Sequence, residues 1–420
     1  MRYISDMRIG KINPRYFKFG LDVSRKKLDL PQFLRQRLVS GTDLKSALAT
    51  IEPPIAGYKR MREALLKYME LAKNEDDDKL PAPVFPVLAG NHYDNVARLA
   101  KRLRLLGDLP QDVVAADSPV YEGALVQAVK SFQERHGLPP NGQLDSATVE
   151  ELNVPLAHRI EQIRLALERY RWVRYQFSQP PIVVNIPEFR LYAVNEEGEV
   201  ALTINVNVGD AYDFQTPVFE NAIQYLVFRP YWNPPPSILR NEIIPELREN
   251  RDLATNDLEL VTPSGQVIRT GTVTDAMLQQ LRSGRLSVRQ PPGPNNALGL
   301  VTFIFPNDHH VYLHDTPESV DMFSKEERAF SHGCIHVQEP AMLAEWLLRH
   351  SPGWDLAHVE HAMREGKNNL TVNLEKPVPL LIFYATALVR PNGEIHFYRD
   401  IYGHDAELEK ALAKGYPYPG

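Results

Sequence analysis

The sequence is short of cysteine, of long apolar runs and of excess positive charge. Its 420 residues include one cysteine, Cys334, so no disulfide forms within the chain. No run approaches the roughly 18–20 continuous apolar residues of a membrane-spanning helix. Lys and Arg total 47 against 53 Asp and Glu, a net charge of -6. That balance, without aromatic residues interleaved in a basic run, argues against a nucleic-acid partner.

The first part of the chain has helical patterning. Residues 1–85 show apolar residues at three- and four-residue spacing and end in a charged run and prolines, which predicts a helical region followed by a linker. In residues 86–155 we predict three short helices that form a small module, with Leu125, Val126, Val129 and Phe132 as one apolar stripe and Asp145 or Ser146 as a cap. For residues 156–180 we predict a connecting helix.

Period-two patterning begins after the prolines at positions 180 and 181. Alternating segments between residues 181 and 375 predict a β-rich, mostly antiparallel domain. A more polar insertion at about 238–290, with helical stretches, is predicted to cap a cleft. Residues 376–420 return to strands and a final helix, which we expect to pack on this domain or on the N-terminal region. The predicted fold class is therefore multidomain α+β.

Chemistry is concentrated around the single cysteine. A lone cysteine most often packs as a small hydrophobe, and a free thiol is mostly protonated at neutral pH, so a nucleophilic thiol needs a base close by. Histidine is suited to that task near pH 7. Gly333, just before the cysteine, allows backbone N–H groups to converge on an oxyanion. Four histidines lie nearby in the sequence: His310, His314, His332 and His336.

Two motifs carry a family resemblance. The sequence His314-Asp315-Thr316-Pro317, followed by Ser331-His332-Gly333-Cys334, closely resembles the signature of L,D-transpeptidases with a YkuD-type catalytic domain. Residues 128–149 resemble a peptidoglycan-binding module. The segments that flank the two catalytic motifs resemble those of the larger YcbB-like subgroup. Proteins of this subgroup join a scaffold region, a peptidoglycan-binding module and a catalytic domain with a capping insertion. The resemblance covers nearly the whole chain.

The resemblance implies roles for individual residues. Cys334 would be the nucleophile and His314 the general base, with the backbone carbonyl of Asp315 orienting the imidazole. Tyr312 and backbone N–H groups at Gly333 and the cysteine would hold the oxyanion. Residues that would contact the substrate are Trp232, Asn233, Ser331, His332 and His336. The last position departs from the family, which usually has arginine or asparagine there.

The implied reaction is acyl transfer between peptidoglycan stem peptides. The thiolate would attack the carbonyl of the third residue of a donor tetrapeptide and expel the terminal D-alanine, and a side-chain amine of an acceptor stem would complete a three-to-three cross-link. No cofactor is implied, and carbapenem β-lactams are expected to acylate the thiol. Residues 1–17 are too polar for a signal peptide. Because the function requires export, we expect a periplasmic protein whose signal or membrane anchor is missing from this chain.

Alternatives remain open from the residues alone. His332, Cys334 and His336 alternate, so on a strand they would share a face, and His310 or His314 could complete a zinc site. Loss of activity on chelation would favour zinc, and loss on thiol alkylation would favour a nucleophile. Water as acceptor would make the protein an L,D-carboxypeptidase. A peptidoglycan-binding protein without catalysis is a further alternative, and it would give no covalent carbapenem adduct.

Overall fold

The N-terminal region is helical, as predicted. A computed structural model describes residues 1–26, 29–39, 43–113 and 118–415. The predicted domains also include residues 27–28, 40–42, 114–117 and 416–420, which lie outside the described residues. The longest of its helices buries Tyr58, Met61, Ala64 and Tyr68 on one face. The helices are α1 (Arg2–Ile9), α2 (Leu30–Phe33), α3 (Leu44–Ala49) and α4 (Ala56–Leu71), with 3-10 turns at Pro14–Phe17, Ser24–Lys26 and Ala72–Asn74 and a π-helix at Leu34–Val39.

The next three helices form the predicted small module: α5 (Val96–Leu106), α6 (Ala124–Arg135) and α7 (Ser146–Leu152). Asp145 caps α7 by accepting the Thr148 N–H at 2.7 Å. The connecting helix α8 (Leu156–Tyr170) ends ten residues before the predicted limit of 180. That prediction was wrong because the chain leaves the helix to bury Trp172 and Val173 in the core of the sheet that follows.

Between α8 and residue 415, the last one described, the chain forms fourteen strands. In chain order they are β1 (Ile182–Asn185), β2 (Arg190–Val194), β3 (Val200–Gly209), β4 (Phe219–Phe228), β5 (Glu259–Val261), β6 (Val267–Ile268), β7 (Ser287–Arg289), β8 (Val301–Ile304), β9 (Leu313–His314), β10 (Ala329–Ser331), β11 (Ile335–Val337), β12 (Leu370–Phe383), β13 (Ala387–Val389) and β14 (Ile395–Phe397). Interspersed helices are α9 (Pro236–Ile238), α10 (Ile244–Glu249), α11 (Asp275–Arg282), α12 (Ser319–Phe323), α13 (Pro340–Leu348), α14 (Leu356–Arg364) and α15 (His404–Lys414). Short 3-10 turns lie at Ile186–Glu188 and Ala254–Asn256, and a π-helix at Leu239–Ile243.

Nine strands form the central sheet, in the order β10-β3-β11-β9-β8-β4-β12-β1-β2. β2 also pairs with β3, so the sheet closes on itself and leaves few free edges. Three pairings are parallel (β1 with β12, β3 with β10, β9 with β11) and the others are antiparallel. The predicted fold class, a mostly antiparallel β-rich domain beside helical regions, is confirmed.

The insertion at 238–290 is not purely helical. It combines α10 and α11 with a separate antiparallel sheet in the order β6-β5-β7, around its own core of Leu247, Leu260, Leu281 and Val288. We call this unit the cap. Its strands are only two or three residues long, too short for a period-two pattern to be visible in the sequence.

The predicted boundary between residues 375 and 376 falls inside β12. This strand lies between β4 and β1, so the start of the predicted C-terminal segment belongs to the central sheet. The β13–β14 hairpin packs in the same core as α4 and the module, and Arg169 of α8 pairs with Asp405 of α15. Within the described ranges, no helix has the length and apolar character needed to cross a membrane.

Candidate active site

Two neighbouring strands bring the predicted site residues together. β9 and β11 run parallel, with His336 opposite His314 and Ile335 opposite Leu313, and the Ile335 N–H donates to the Tyr312 carbonyl at 2.9 Å. Residues at alternate positions share a face of a sheet. The register therefore places Cys334 and His336 on the same face as Tyr312 and His314, and the two imidazole rings lie 4.6 Å apart.

The imidazole of His314 has a defined tautomer. Its Nδ1 lies 2.6 Å from the backbone carbonyl oxygen of Asp315, which can only accept, so Nδ1 carries the proton and Nε2 keeps a lone pair. The residue is 3% exposed, and this burial lowers the pKa of His314 to about 4, against a smaller opposing effect of the Asp315 carbonyl. The ring is therefore neutral near pH 7 and able to take a proton.

The thiol of Cys334 is half-buried and protonated at rest. Burial raises the pKa of Cys334, and a hydrogen bond from the Tyr312 backbone acts weakly in the other direction. The sulfur lies 3.9 Å from the His310 carbonyl oxygen, and among the described residues no hydrogen bond joins it to His314. The resting pair is thus a neutral thiol beside a neutral imidazole.

The loop before the cysteine depends on a glycine and a serine. Gly333 has φ of +101°, a conformation that side chains rarely adopt. The Ser331 hydroxyl accepts the Gly333 N–H at 3.1 Å and donates to the Cys334 carbonyl. Burial raises the pKa of Tyr312, with a smaller contribution from Cys334, so its phenol remains a donor on the same face.

A second layer of residues holds this loop, and the sequence analysis missed it. The Thr216 hydroxyl donates to the Gly333 carbonyl at 2.9 Å and accepts the Gly209 N–H at 2.8 Å. Gly209 is obligatory, since a Cβ there would lie 1.9 Å from the Phe214 carbonyl oxygen. The Tyr402 hydroxyl donates to the Gly209 carbonyl at 2.6 Å and accepts the Thr216 N–H at 3.2 Å. The motif Gln215-Thr216-Pro217 was visible in the sequence, but nothing pointed to Tyr402.

Asp315 contributes its side chain as well as its carbonyl. Its carboxylate accepts the backbone N–H of Leu300 at 2.8 Å and that of Thr316 at 2.7 Å, while burial raises its pKa. A Cβ on Gly299 would lie 2.5 Å from this carboxylate. Asp315, whose carbonyl holds the His314 imidazole, is therefore fixed by one hydrogen bond from the segment before β8 and one from the next residue of its own segment.

Two other residues predicted to contact the substrate, His336 and His332, have polar partners of their own in the structure. His336 Nδ1 accepts from the Asn207 amide at 3.2 Å, and burial lowers its pKa well below the usual value. His332 Nε2 lies 3.0 Å from a carboxylate oxygen of Glu242 in the cap, and its ring lies 4.6 Å from that of Phe214. The cap therefore contacts the catalytic loop directly.

Trp232 and Asn233 lie at the base of the cap. The backbone of Trp232 pairs with that of Gln290, its ring packs against the cap core, and Asn233 is exposed. No hydrogen bond or ring contact joins either residue to Cys334 or His314 within the described part of the chain. Over that same part, no group of three or more His, Cys, Asp or Glu side chains is placed to hold a metal ion, so the zinc alternative lacks a ligand set.

A thiol and a neutral imidazole whose Nε2 keeps a lone pair have the composition that acyl transfer requires. The Gly333 N–H, expected as an oxyanion donor, instead donates to the Ser331 hydroxyl in this structure. Residues 179–367 match the YkuD family, described as an L,D-transpeptidase catalytic domain. Residues 1–65 match a family described as a scaffold domain, and residues 92–152 one described as "Putative peptidoglycan binding domain". Residues 179–367 therefore form a YkuD-type L,D-transpeptidase catalytic domain and residues 92–152 a peptidoglycan-binding domain, and the predicted resemblance to these two families is confirmed.

Individual proteins that are similar to this chain are also named L,D-transpeptidases. A Haemophilus influenzae protein named "Putative L,D-transpeptidase" is 29% identical over 231 residues, which cover 55% of this chain and 45% of that protein. The chain thus spans less than half the length of this relative. A solved L,D-transpeptidase from Xylanimonas cellulosilytica is 17% identical, with 73% of this chain and all of that chain covered, at a TM-score of 0.23. A solved L,D-transpeptidase from Stackebrandtia nassauensis is 14% identical, with 72% of this chain and 97% of that chain covered, at a TM-score of 0.27. Both TM-scores lie below 0.5.

The low pKa of His314 predicts that the rate of thiol acylation changes little as the pH is lowered. With a pKa of about 4, the imidazole stays neutral from pH 8 down to pH 5, so the rate constant for acylation by a carbapenem should change less than about twofold. An unperturbed histidine would lose about thirtyfold of its neutral form over that range. The measurement is the second-order acylation rate at each pH, with circular dichroism to verify folding. A midpoint near pH 6.5 would contradict the prediction.

Thr216 offers a test of the layer behind the catalytic loop. Thr216→Val removes the hydroxyl between Gly209 and Gly333 while keeping the side-chain shape, so the loop loses its anchor. We expect acylation of Cys334 to slow by about ten- to hundredfold, because small displacements of reacting groups are costly. Thr216→Ser keeps the hydroxyl and should restore most of the rate. Equal rates for the valine and serine variants would show that the bond is not needed.

Proposed function

We propose that this chain is a peptidoglycan L,D-transpeptidase that forms three-to-three cross-links through an acyl-enzyme on Cys334. The observation that supports it best is the register of β9 and β11, which puts the only thiol on the same sheet face as an imidazole with a free Nε2. This pair lies within the YkuD-type catalytic domain, and a peptidoglycan-binding domain precedes it. The donor is the stem tetrapeptide, and the acceptor is a second stem.

The first half-reaction forms a thioester. As Cys334 rotates toward His314, Nε2 takes the thiol proton and the sulfur attacks the carbonyl carbon of the third stem residue. The developing oxyanion accepts hydrogen bonds from the backbone N–H of Cys334 and from the Tyr312 hydroxyl. The C–N bond to D-alanine then breaks, and the departing amine takes the proton from the His314 imidazolium.

The second half-reaction uses the acceptor amine. The side-chain amine of the diamino acid in a second stem attacks the thioester, passes its proton through His314 and forms the new amide, and Cys334 leaves as a thiol. Water in place of the amine would give carboxypeptidase activity. In this scheme Trp232, Asn233, His332 and His336 line the substrate cleft under the cap, while Ser331 shapes the loop.

Neutral histidine at 336 changes the character of that cleft. The usual arginine would provide a cation, whereas His336 is uncharged and accepts from Asn207. We assign it to holding the His314 ring, whose centroid lies 4.6 Å away with the two ring planes tilted by 57°. Because the substrate lies outside the cytoplasm, we place the protein in the periplasm, where the cross-links would contribute to cell-wall biogenesis and cell shape.

A covalent adduct tests the nucleophile. Wild-type protein incubated with a carbapenem should gain the full mass of the drug, because ring opening forms a thioester without a leaving group. Cys334→Ala should gain nothing. His314→Ala should acylate more slowly by about a hundredfold or more, since it lacks the base but keeps the thiol. Intact-protein mass spectrometry measures all three, and an adduct on Cys334→Ala would refute the assignment of the nucleophile.

The product formed from a purified disaccharide-tetrapeptide muropeptide tests the reaction. We expect a dimer that has lost one D-alanine, detected by mass analysis and absent with Cys334→Ala. Arg364→Gln, an exposed change on α14, serves as the matched control and should leave dimer formation unchanged. A trimmed tripeptide monomer without dimer would instead identify an L,D-carboxypeptidase, and no change in the muropeptide would leave only a binding function.

A further inference from the structure

Four polar side chains form a row across the central sheet. Asn207 of β3 pairs with His336 of β11, His336 with His314 of β9, and His314 with Thr302 of β8. Residues that lie opposite each other on neighbouring strands project from the same face of a sheet. The imidazole that we propose as the general base therefore lies between a second imidazole on one side and a threonine on the other.

Thr302 approaches His314 closely because of the pairing type at this position. The Asp315 N–H donates to the Val301 carbonyl at 3.0 Å, so these two residues form a hydrogen-bonded pair. The adjacent antiparallel pair, Thr302 with His314, is therefore of the non-hydrogen-bonded type. In such pairs the Cα atoms are only about 4.5 Å apart and the side chains lie closest together. The backbone of the two strands thus holds the threonine beside the catalytic histidine.

The hydroxyl of Thr302 differs from those of the other buried threonines. It is 2% exposed, and within the described part of the chain its Oγ1 has no hydrogen-bond partner. The other buried threonines all form a side-chain hydrogen bond: Thr148, Thr216, Thr316 and Thr386. A buried hydroxyl without a partner destabilises the folded state, and valine would fill the same space without that cost. Stability of the resting fold therefore does not account for a threonine at this position.

The proposed reaction creates a positive charge beside this hydroxyl. At rest the His314 ring is neutral, with its Nδ1 proton bound by the Asp315 carbonyl at 2.6 Å. When Nε2 takes the thiol proton, the buried ring becomes an imidazolium, and burial disfavours that charged form. His336 accepts from Asn207 and carries no negative charge that could compensate. The oxygen of an unbonded hydroxyl can turn a lone pair toward the cation without breaking a hydrogen bond first.

We propose that Thr302 is a positioning residue for acyl transfer, whose hydroxyl oxygen turns toward the His314 imidazolium and stabilises it while the ring carries the thiol proton. The inference rests on the proposed function, because it takes His314 to be the general base. The proton passes from the Cys334 sulfur to Nε2 and then to the departing nitrogen. Thr302 keeps its own proton throughout and forms no covalent bond.

A valine at position 302 separates the role of the hydroxyl in catalysis from its effect on the fold. Thr302→Val keeps the shape of the side chain and removes the oxygen, so acylation of Cys334 by a carbapenem should slow by about tenfold or more. The thermal unfolding midpoint should be equal to or higher than that of wild type, because an unpaired buried hydroxyl has been removed. Intact-protein mass spectrometry gives the acylation rate, and circular dichroism gives the midpoint.

Two further variants complete the comparison. Thr302→Ser keeps the hydroxyl and should acylate within about threefold of the wild-type rate. Thr371→Val is the matched control, because Thr371 is an exposed threonine on β12, two strands away in the same sheet, and its rate should equal that of wild type. Thr302→Ala replaces the valine variant if circular dichroism shows that the latter is unfolded, and the same comparison with serine then applies.

A double-mutant cycle tests whether Thr302 acts through His314. In the His314→Ala background the imidazolium cannot form, so Thr302→Val should cause no further slowing beyond about twofold. A slowing as large as in the presence of His314 would show a general effect on the site and would overturn the inference. Thr302→Val that acylates as fast as wild type, or Thr302→Ser that is as slow as the valine variant, would also overturn it.

The proposed function is judged by other outcomes of the same measurements. Slow acylation of His314→Ala together with a wild-type rate for Thr302→Val would leave the base assignment intact and remove only the role of Thr302. A wild-type rate for His314→Ala would remove the base itself, and the role of Thr302 would be lost with it. Absence of any adduct on the wild-type protein would remove the proposed nucleophile.

Discussion

The parallel pairing of β9 and β11 is the constraint on which the site depends. β9 has only two residues and β11 only three, so neither is long enough to hold its register alone. Their outer neighbours, β8 and β3, fix them on both sides within a closed sheet. A shift of one residue would turn Cys334 to the opposite face from His314. The chemistry therefore depends on the integrity of the whole sheet more than on either short strand.

Burial sets the resting state of the reactive pair. Desolvation disfavours the charged forms, so it raises the pKa of the Cys334 thiol and lowers that of the His314 imidazole. No preformed thiolate–imidazolium pair is expected in the resting site. In the proposed mechanism, charge develops only when the proton moves from the thiol to the imidazole.

The catalytic loop is held by residues far from it in the sequence. Thr216 and Gly209 anchor Gly333, and Tyr402 anchors both from beyond the residues that match the catalytic family. Glu242 reaches His332 from the cap. The C-terminal segment also supplies the hairpin on which the peptidoglycan-binding module sits.

The sequence by itself determined the local features. Apolar spacing defined α5, α6 and α7, alternation defined β2 and most of β3, and the two motifs identified the catalytic family, because these signals need only neighbouring residues. Tertiary structure decided the rest. The end of α8, the small sheet of the cap and the position of β12 depend on partners that are distant in the chain. The same holds for Tyr402 and Thr216, whose contacts with the loop before Cys334 come from distant segments. Hydrogen bonds and cavities of this kind arise between segments whose proximity only the folded chain establishes.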